Sequence, residues 1–241
     1  MICVFTGGDA PSPESTECFF SEKRKGQGGG FFPFKSIAAD SGLETFEEYQ
    51  AKLEIFSIKS ILGDWDSIKS KEKLSEYPKE IIENHIVDKD FTDTELALEK
   101  AHSMKAFSDE EIVLIGAGGG KRIDHLIAVF DLFSTRLRPD TWITGEQFLH
   151  FLGKGMRAEI SNLAANDTVS VLRTSESRTG GKIESKGLKW ESSLFRMEGV
   201  PSISNRMSED AVRNRIELKS VEGDFVIALP NSAKISIFPF D

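Results

Sequence analysis

Short apolar runs that stop abruptly at glycine or aspartate recur along the first half of this chain, and they set the reading of its fold. Met1 to Phe5 breaks at Gly7-Gly8-Asp9, Phe34 to Ala39 runs into Asp40-Ser41-Gly42, and Ile61-Leu62 ends at Gly63-Asp64-Trp65-Asp66-Ser67. Ile112 to Ile115 is followed by Gly116-Ala117-Gly118-Gly119-Gly120-Lys121-Arg122-Ile123-Asp124-His125. Short apolar runs bounded by turn residues read as buried strands. Between them the period becomes helical. Thr45 to Leu53 is one such segment, and a short helical piece follows Pro78 ahead of Ile86-Val87. Thr92 with Glu95 forms a capping-box pattern, after which Ala97, Ala101 and Met104 share a face. Leu126, Val129, Phe130 and Phe133 repeat the spacing of another apolar helix face. Strands alternating with helices up to about residue 140 predict a three-layer α/β/α domain with a largely parallel sheet.

Past Trp142 the pattern changes. Val169 to Leu172, Arg215 to Lys219, Phe225 to Leu229 and Ile235 to Phe238 are short β-rich runs, separated by Gly180-Gly181, Glu222-Gly223-Asp224 and Pro230-Asn231. They predict a smaller antiparallel β-sandwich, with domains at 1–155 and 156–241. Residues 10–33 hold Pro11, Pro13, the charged Glu22-Lys23-Arg24-Lys25 and Gly28-Gly29-Gly30, and read as a long loop.

Composition narrows the function classes. The 39% apolar and 29% charged fractions are those of a soluble globular protein, and 241 residues suffice for a sizeable core. No apolar stretch approaches the roughly 20 residues that span a bilayer, so no membrane association is expected. Cys3 and Cys18 offer neither a disulfide framework nor paired metal-ligand spacing, which suits a reducing, cytoplasmic setting. A net charge of -9 argues against nucleic acid as a partner. A polyanionic small molecule remains admissible if local cations or a bound metal offset that charge.

The strand ends carry the candidate chemistry. In extended geometry Asp64 and Asp66 point the same way and can face one hard cation such as Mg²⁺. A plain surface turn gives the same residues. Recurrence favours chemistry, because Asp40, Asp93 and Asp124 follow similar breaks. The glycine-rich loop feeding a helix start is an anion cradle, to which Arg122 adds a forked donor pair. His125 reads as a structural residue of a first helical turn. Trp190 has two readings, a sandwich core residue or an indole that stacks on a flat cation.

Taken together, Ala39-Asp40-Ser41-Gly42, Gly63-Asp64-Trp65-Asp66-Ser67, Lys89-Asp90-Phe91-Thr92-Asp93 with Glu95, Arg122-Ile123-Asp124-His125, and Gly187-Leu188-Lys189-Trp190 with Ser204-Asn205 resemble the thiamine pyrophosphokinase family. The resemblance implies a homodimer with active sites at interfaces between domains and subunits. It implies transfer of the diphosphate of Mg-ATP to the thiamine hydroxyl, giving thiamine diphosphate and AMP. Asp64, Asp66, Asp93 and Asp124 would be catalytic and hold Mg²⁺. Asp40, Lys89, Thr92 and Arg122 would bind the nucleotide, and Trp190, Ser204 and Asn205 would bind thiamine. Asp66 or Asp124 would accept the hydroxyl proton. Ser41 stands where the family has a second glycine, Trp65 where another apolar residue is commoner, and Lys121 is an extra residue in the glycine loop. A metal-dependent phosphoesterase or pyrophosphatase, and a non-catalytic nucleotide or thiamine sensor, are the competing readings.

Overall fold

The computed structural model describes residues 1–25, 32–65, 71–85, 90–106, 108–119, 123–191 and 202–240. Gly28-Gly29-Gly30, Asp66, Ile86-Val87, Lys89, Lys121 and Arg122 lie outside them. The chain divides into two compact units, residues 1–132 with 136–145 and residues 133–135 with 146–241.

In the first unit the elements run β1 (Ile2–Phe5), α1 (Pro13–Lys25), β2 (Phe34–Ala39), α2 (Gly42–Leu53), β3 (Phe56–Gly63), β4 (Ile82–Asn84), α3 (Asp93–Lys105), β5 (Ile112–Ile115), α4 (Ile123–Asp131) and β6 (Thr141–Thr144). All six strands pair in parallel, in the order β6-β5-β1-β2-β3-β4. Every residue of β1 and β5 is buried, as continuous apolar runs in a sheet covered on both faces require. α1 packs against α2, and the rule that crossovers are right-handed sends α3, which carries the chain back across the sheet, to the opposite face.

An aromatic cluster fills one side. Phe5 meets Phe46, Tyr49 and Phe56 edge to face with centroids 5.3 to 5.5 Å apart, and Phe20 meets Phe56 at 5.2 Å. Phe20 comes from α1, so the segment read as a long loop is in fact helical over residues 13–25. The physical reason is local. Pro13 starts the helix with its φ already set, Glu14 and Lys23-Arg24-Lys25 complement the helix dipole, and Phe20 is buried. The capping box at Thr92 forms as expected: the Glu95 amide donates to Thr92 Oγ1 at 3.2 Å, and the Thr92 amide donates to Glu95 Oε2 at 2.8 Å. Of the expected inner face, Ala97 and Ala101 are buried together with Leu98.

Glu110 ties the entry of β5 to the amino end of the chain and to β2. It accepts from the Met1 amine at 3.0 Å, Lys35 at 2.5 Å and Ser108 at 2.9 Å. Burial alone would raise its pKa, but these donors outweigh burial and hold it down at about 2. Depression on folding means the stabilisation is fully present above the ordinary value of 4.5 and is lost as pH falls towards 2. Its size is at most about 3 kcal/mol, less for solvent screening. Urea titrations of the wild type and Glu110→Gln should therefore differ most near neutrality and converge between pH 4.5 and 2.

The second unit holds β7 (Gln147–Leu152), β8 (Met156–Ser161), β9 (Val169–Arg173), β10 (Lys182–Lys186), β11 (Ser202–Asn205), β12 (Ile216–Glu222), β13 (Phe225–Pro230) and β14 (Lys234–Pro239). β7 pairs along its whole length with β13, which is why this strand belongs to the second unit although a boundary at 155 would assign it to the first. Two antiparallel sets result, β11-β9-β13-β7 and β10-β12-β8-β14. They enclose one apolar core. Leu152, Val169, Val171, Phe225 and Ile227 come from one set, and Ala158, Ile160, Ile183, Ile216 and Leu218 from the other.

Candidate functional site

Because all six strands of the first unit are parallel, their carboxyl ends share one edge. Strand order reverses at β1: the chain steps outward through β2 and β3 to β4, then returns to β5 on the other side of β1. Open α/β sheets bind ligands at such a switch point, outside the carboxyl ends. Residues 6–9 and 116–119 form its walls.

These two loops are clasped through their backbones. The Asp9 amide donates to the Gly118 carbonyl at 2.8 Å, and the Ala117 amide to the Gly7 carbonyl at 2.7 Å. Thr144 at the end of β6 closes the clasp, its hydroxyl 3.4 Å from the Asp9 carbonyl. Glycine is required here by space. A Cβ on Gly118 would stand 1.4 Å from Thr144 Oγ1, and one on Gly119 would stand 1.6 Å from Asp9 Oδ2. Gly119 also has φ 61°, a conformation that side chains disfavour. Neither the clasp nor Asp9 was legible as part of a site, since it joins residues over a hundred positions apart.

Along the same edge, Asp40 follows β2 with φ 47°, which Asp tolerates better than most residues. Its amide donates to the Leu62 carbonyl at 2.8 Å and its carbonyl accepts from Leu43 at 3.0 Å, so Asp40 links β3 to the first turn of α2. Asp64, half-buried, follows β3 directly. The indole of Trp65 donates to Asn84 beside it. Asp93 is the first residue of α3 and Asp124 the second of α4; both turns begin where the chain leaves the carboxyl edge. Thr92 Oγ1 donates to Glu95 Oε2 at 2.8 Å, so its hydroxyl is engaged in the cap. Asp124 and His125 are exposed, and α4 leaves Ile123 and Ile127 in solvent while burying Val129. Phe133, expected on the same helical face, lies in a 3₁₀ turn beyond the helix.

Among the described residues no three His, Cys, Asp or Glu side chains group as a metal site. The donors offered at this edge are carboxylate oxygens, the chemistry of a hard cation such as Mg²⁺, and Asp66 lies one residue beyond the described Trp65. Cys3, beneath the edge in β1, is fully buried and its thiol is pushed well above the ordinary range by that burial, which rules it out as a nucleophile.

In the second unit Trp190 is 47% exposed, so it is no sandwich core residue. Lys189 Nζ and Arg206 Cζ lie 5.3 and 6.0 Å from its ring centroid. Ser204 is exposed with φ 57°, next to the register shift by which β11 joins β9. Asn205 is fully buried.

A doubly wound sheet whose carboxyl edge gathers acidic residues and a glycine loop at the switch point defines the class, an α/β domain of the kind that receives nucleotide phosphates. Residues 35–143, just under half of the chain, match the model of the thiamin pyrophosphokinase catalytic domain. No curated protein sequence matches it. Among solved structures it is similar to thiamine pyrophosphokinase from Bacillus subtilis, at 18% identity and TM-score 0.63, covering 95% of this chain and 98% of that one. A thiamin pyrophosphokinase family protein from Enterococcus faecalis gives 18% and 0.64 over 95% and 98%. Thiamin pyrophosphokinase from Candida albicans gives 16% and 0.61 over 95% and 88%. These likenesses establish the fold across both units.

Proposed function

We propose that this enzyme transfers the terminal diphosphate of Mg-ATP to the hydroxyl of thiamine, releasing AMP. The observation that carries the reading is the family match over residues 35–143, the stretch that contains Asp40, Asp64, Asp66, Thr92, Asp93, Arg122 and Asp124. Asp64, Asp66, Asp93 and Asp124 would hold Mg²⁺, which when bound neutralises charge on the polyphosphate. The clasped glycine loop offers backbone amides to the phosphates, joined by Arg122, Lys89 and the amino end of α3 behind Thr92. Asp40 borders the nucleotide.

The thiamine hydroxyl attacks the β-phosphorus in line. The new bond joins thiamine oxygen to that phosphorus, the bond to the bridging oxygen of the α-phosphate breaks, and the bridging oxygen leaves with AMP. Asp66 or Asp124 accepts the hydroxyl proton. Trp190, Ser204 and Asn205 form the thiamine side, the half-exposed indole offering a surface on which a flat ring can stack. We place the working enzyme in the cytoplasm as a homodimer, a state that sedimentation velocity would check.

The deciding assay incubates purified protein with thiamine, ATP and Mg²⁺ and resolves the products by chromatography. AMP and thiamine diphosphate in equal amounts are expected. Phosphate or diphosphate released without modified thiamine would overturn the proposal in favour of a hydrolase. Gly119→Ala tests the loop: strain of about 1–3 kcal/mol should raise the KM for ATP roughly tenfold or more and leave that for thiamine unchanged.

A further inference from the structure

Trp190 stands half out of the surface, yet both its backbone groups are spoken for. Asn205 Oδ1 accepts from the Trp190 amide at 3.2 Å, and Asn205 Nδ2 donates to the Trp190 carbonyl at 2.7 Å. The same carboxamide accepts from the Arg206 amide at 2.9 Å and donates to Ser202 Oγ at 3.4 Å. All its ordinary bonding capacity is used, and the side chain has no exposed surface.

The turn is held from its other side as well. Glu191 Oε1 accepts from the Gly187 amide at 2.8 Å, and Glu191 Oε2 accepts from the Ser185 hydroxyl at 2.5 Å. The Lys189 amide donates to the Arg206 carbonyl at 2.8 Å, and Ser208 to Gly187 at 2.9 Å, continuing the bridge between Leu188 and Met207. An exposed aromatic residue in a short turn would normally sample several orientations. Here a buried amide and a carboxylate fix the backbone that carries it, while Lys189 and Arg206 stand over the ring.

We infer that Asn205 and Glu191 are positioning residues that act on thiamine through Trp190, Asn205 by clamping the indole's backbone and Glu191 by closing the turn. The inference rests on the proposed thiamine-binding role of Trp190. A carboxamide engaged in four bonds has nothing left for a ligand, so Asn205 works one residue removed from the substrate. Loss of the clamp should weaken thiamine binding as much as loss of the indole, and no more.

Two measurements test it. The first is a double-mutant cycle on thiamine KM with Trp190→Ala, Asn205→Ala and the pair, with Glu191→Gln alongside. Each single change should raise KM for thiamine about five- to tenfold at nearly constant kcat and constant ATP KM, with Glu191→Gln the mildest. The Trp190→Ala/Asn205→Ala pair should match Trp190→Ala alone; an additive pair would overturn the inference by showing a direct contact from Asn205. The second needs no activity. With Trp65 and Trp142 replaced by Phe, Trp190 is the sole indole, and Asn205→Ala should lower its fluorescence anisotropy and increase quenching by acrylamide. Unchanged anisotropy and quenching in a folded protein would overturn the clamp. A Trp190→Ala protein with normal thiamine KM, beside a clear anisotropy change in Asn205→Ala, would remove the thiamine role of Trp190 and with it the action on substrate, leaving only the clamp.

Discussion

Asp64→Asn is expected to reduce turnover at saturating thiamine and ATP by about a hundredfold or more, with little change in thermal stability. Substituting an amide keeps the shape of the residue that follows β3 and removes one negative charge from the carboxyl edge. If that charge holds Mg²⁺ against the polyphosphate, its loss removes electrostatic stabilisation that enzymes commonly supply at about 10²- to 10³-fold per group. Raising Mg²⁺ should recover part of the activity. Steady-state kinetics across a Mg²⁺ titration gives the result, and unaltered turnover would sink the assignment of Asp64. The charge at Asp64 faces solvent in part, so the folded state should tolerate its removal.

Phe20→Ala carries the second large effect, on stability. Phe20 is 1% exposed and its ring touches those of Phe34 and Phe56 at centroid separations of 6.0 and 5.2 Å. Removing a buried Phe costs about 3–5 kcal/mol through lost burial and the cavity left behind. Equilibrium urea unfolding should show a midpoint shift of that size. A change below about 1 kcal/mol would mean that α1 contributes little to the core, contrary to its packing.

That helix marks where reading from sequence failed, and the reasons are specific. Only Pro13, Thr16 and Phe20 of α1 are buried, so its apolar stripe is thin and its charges dominate the pattern. Ser12-Pro13-Glu14 and the basic last turn were the available start and stop signals. By contrast Ile112–Ile115 is legible to the residue because a strand buried on both faces is apolar throughout, and Phe34–Ala39, despite Lys35 and Ser36, because it stops at Asp40-Ser41-Gly42. Strands of the second unit escaped where one face is polar. In Lys182–Lys186 only Ile183 is buried, and in Gln147–Leu152, although Gly145 and Gly153 bracket it, the polar Gln147 and His150 interrupt the apolar run.

The candidate site divides the same way. Asp40, Asp64, Asp93 and Asp124 were visible because each follows a break in an apolar pattern, and the structure puts all four at strand or helix ends on the carboxyl edge. For Asp9 that signal is not enough, because its place at the edge comes from a partner at Gly118, far along the chain. Trp190 was ambiguous between core and surface since its neighbours Lys189 and Glu191 fit either place. Its ring is half exposed over a backbone bonded to the buried amide of Asn205, an arrangement no periodicity could reveal.

The clasp between the β1 and β5 loops also dictates where this chain can lengthen. Its two backbone hydrogen bonds reach only as far as Gly118, so a residue added between Gly116 and Gly118 would throw one or both out of register, whereas one added after Gly119 shifts neither partner. Lys121, the extra residue relative to the family pattern, falls on the permissive side. Insertional drift in this loop is thereby channelled towards the start of α4, where a residue can be added without loosening the clasp.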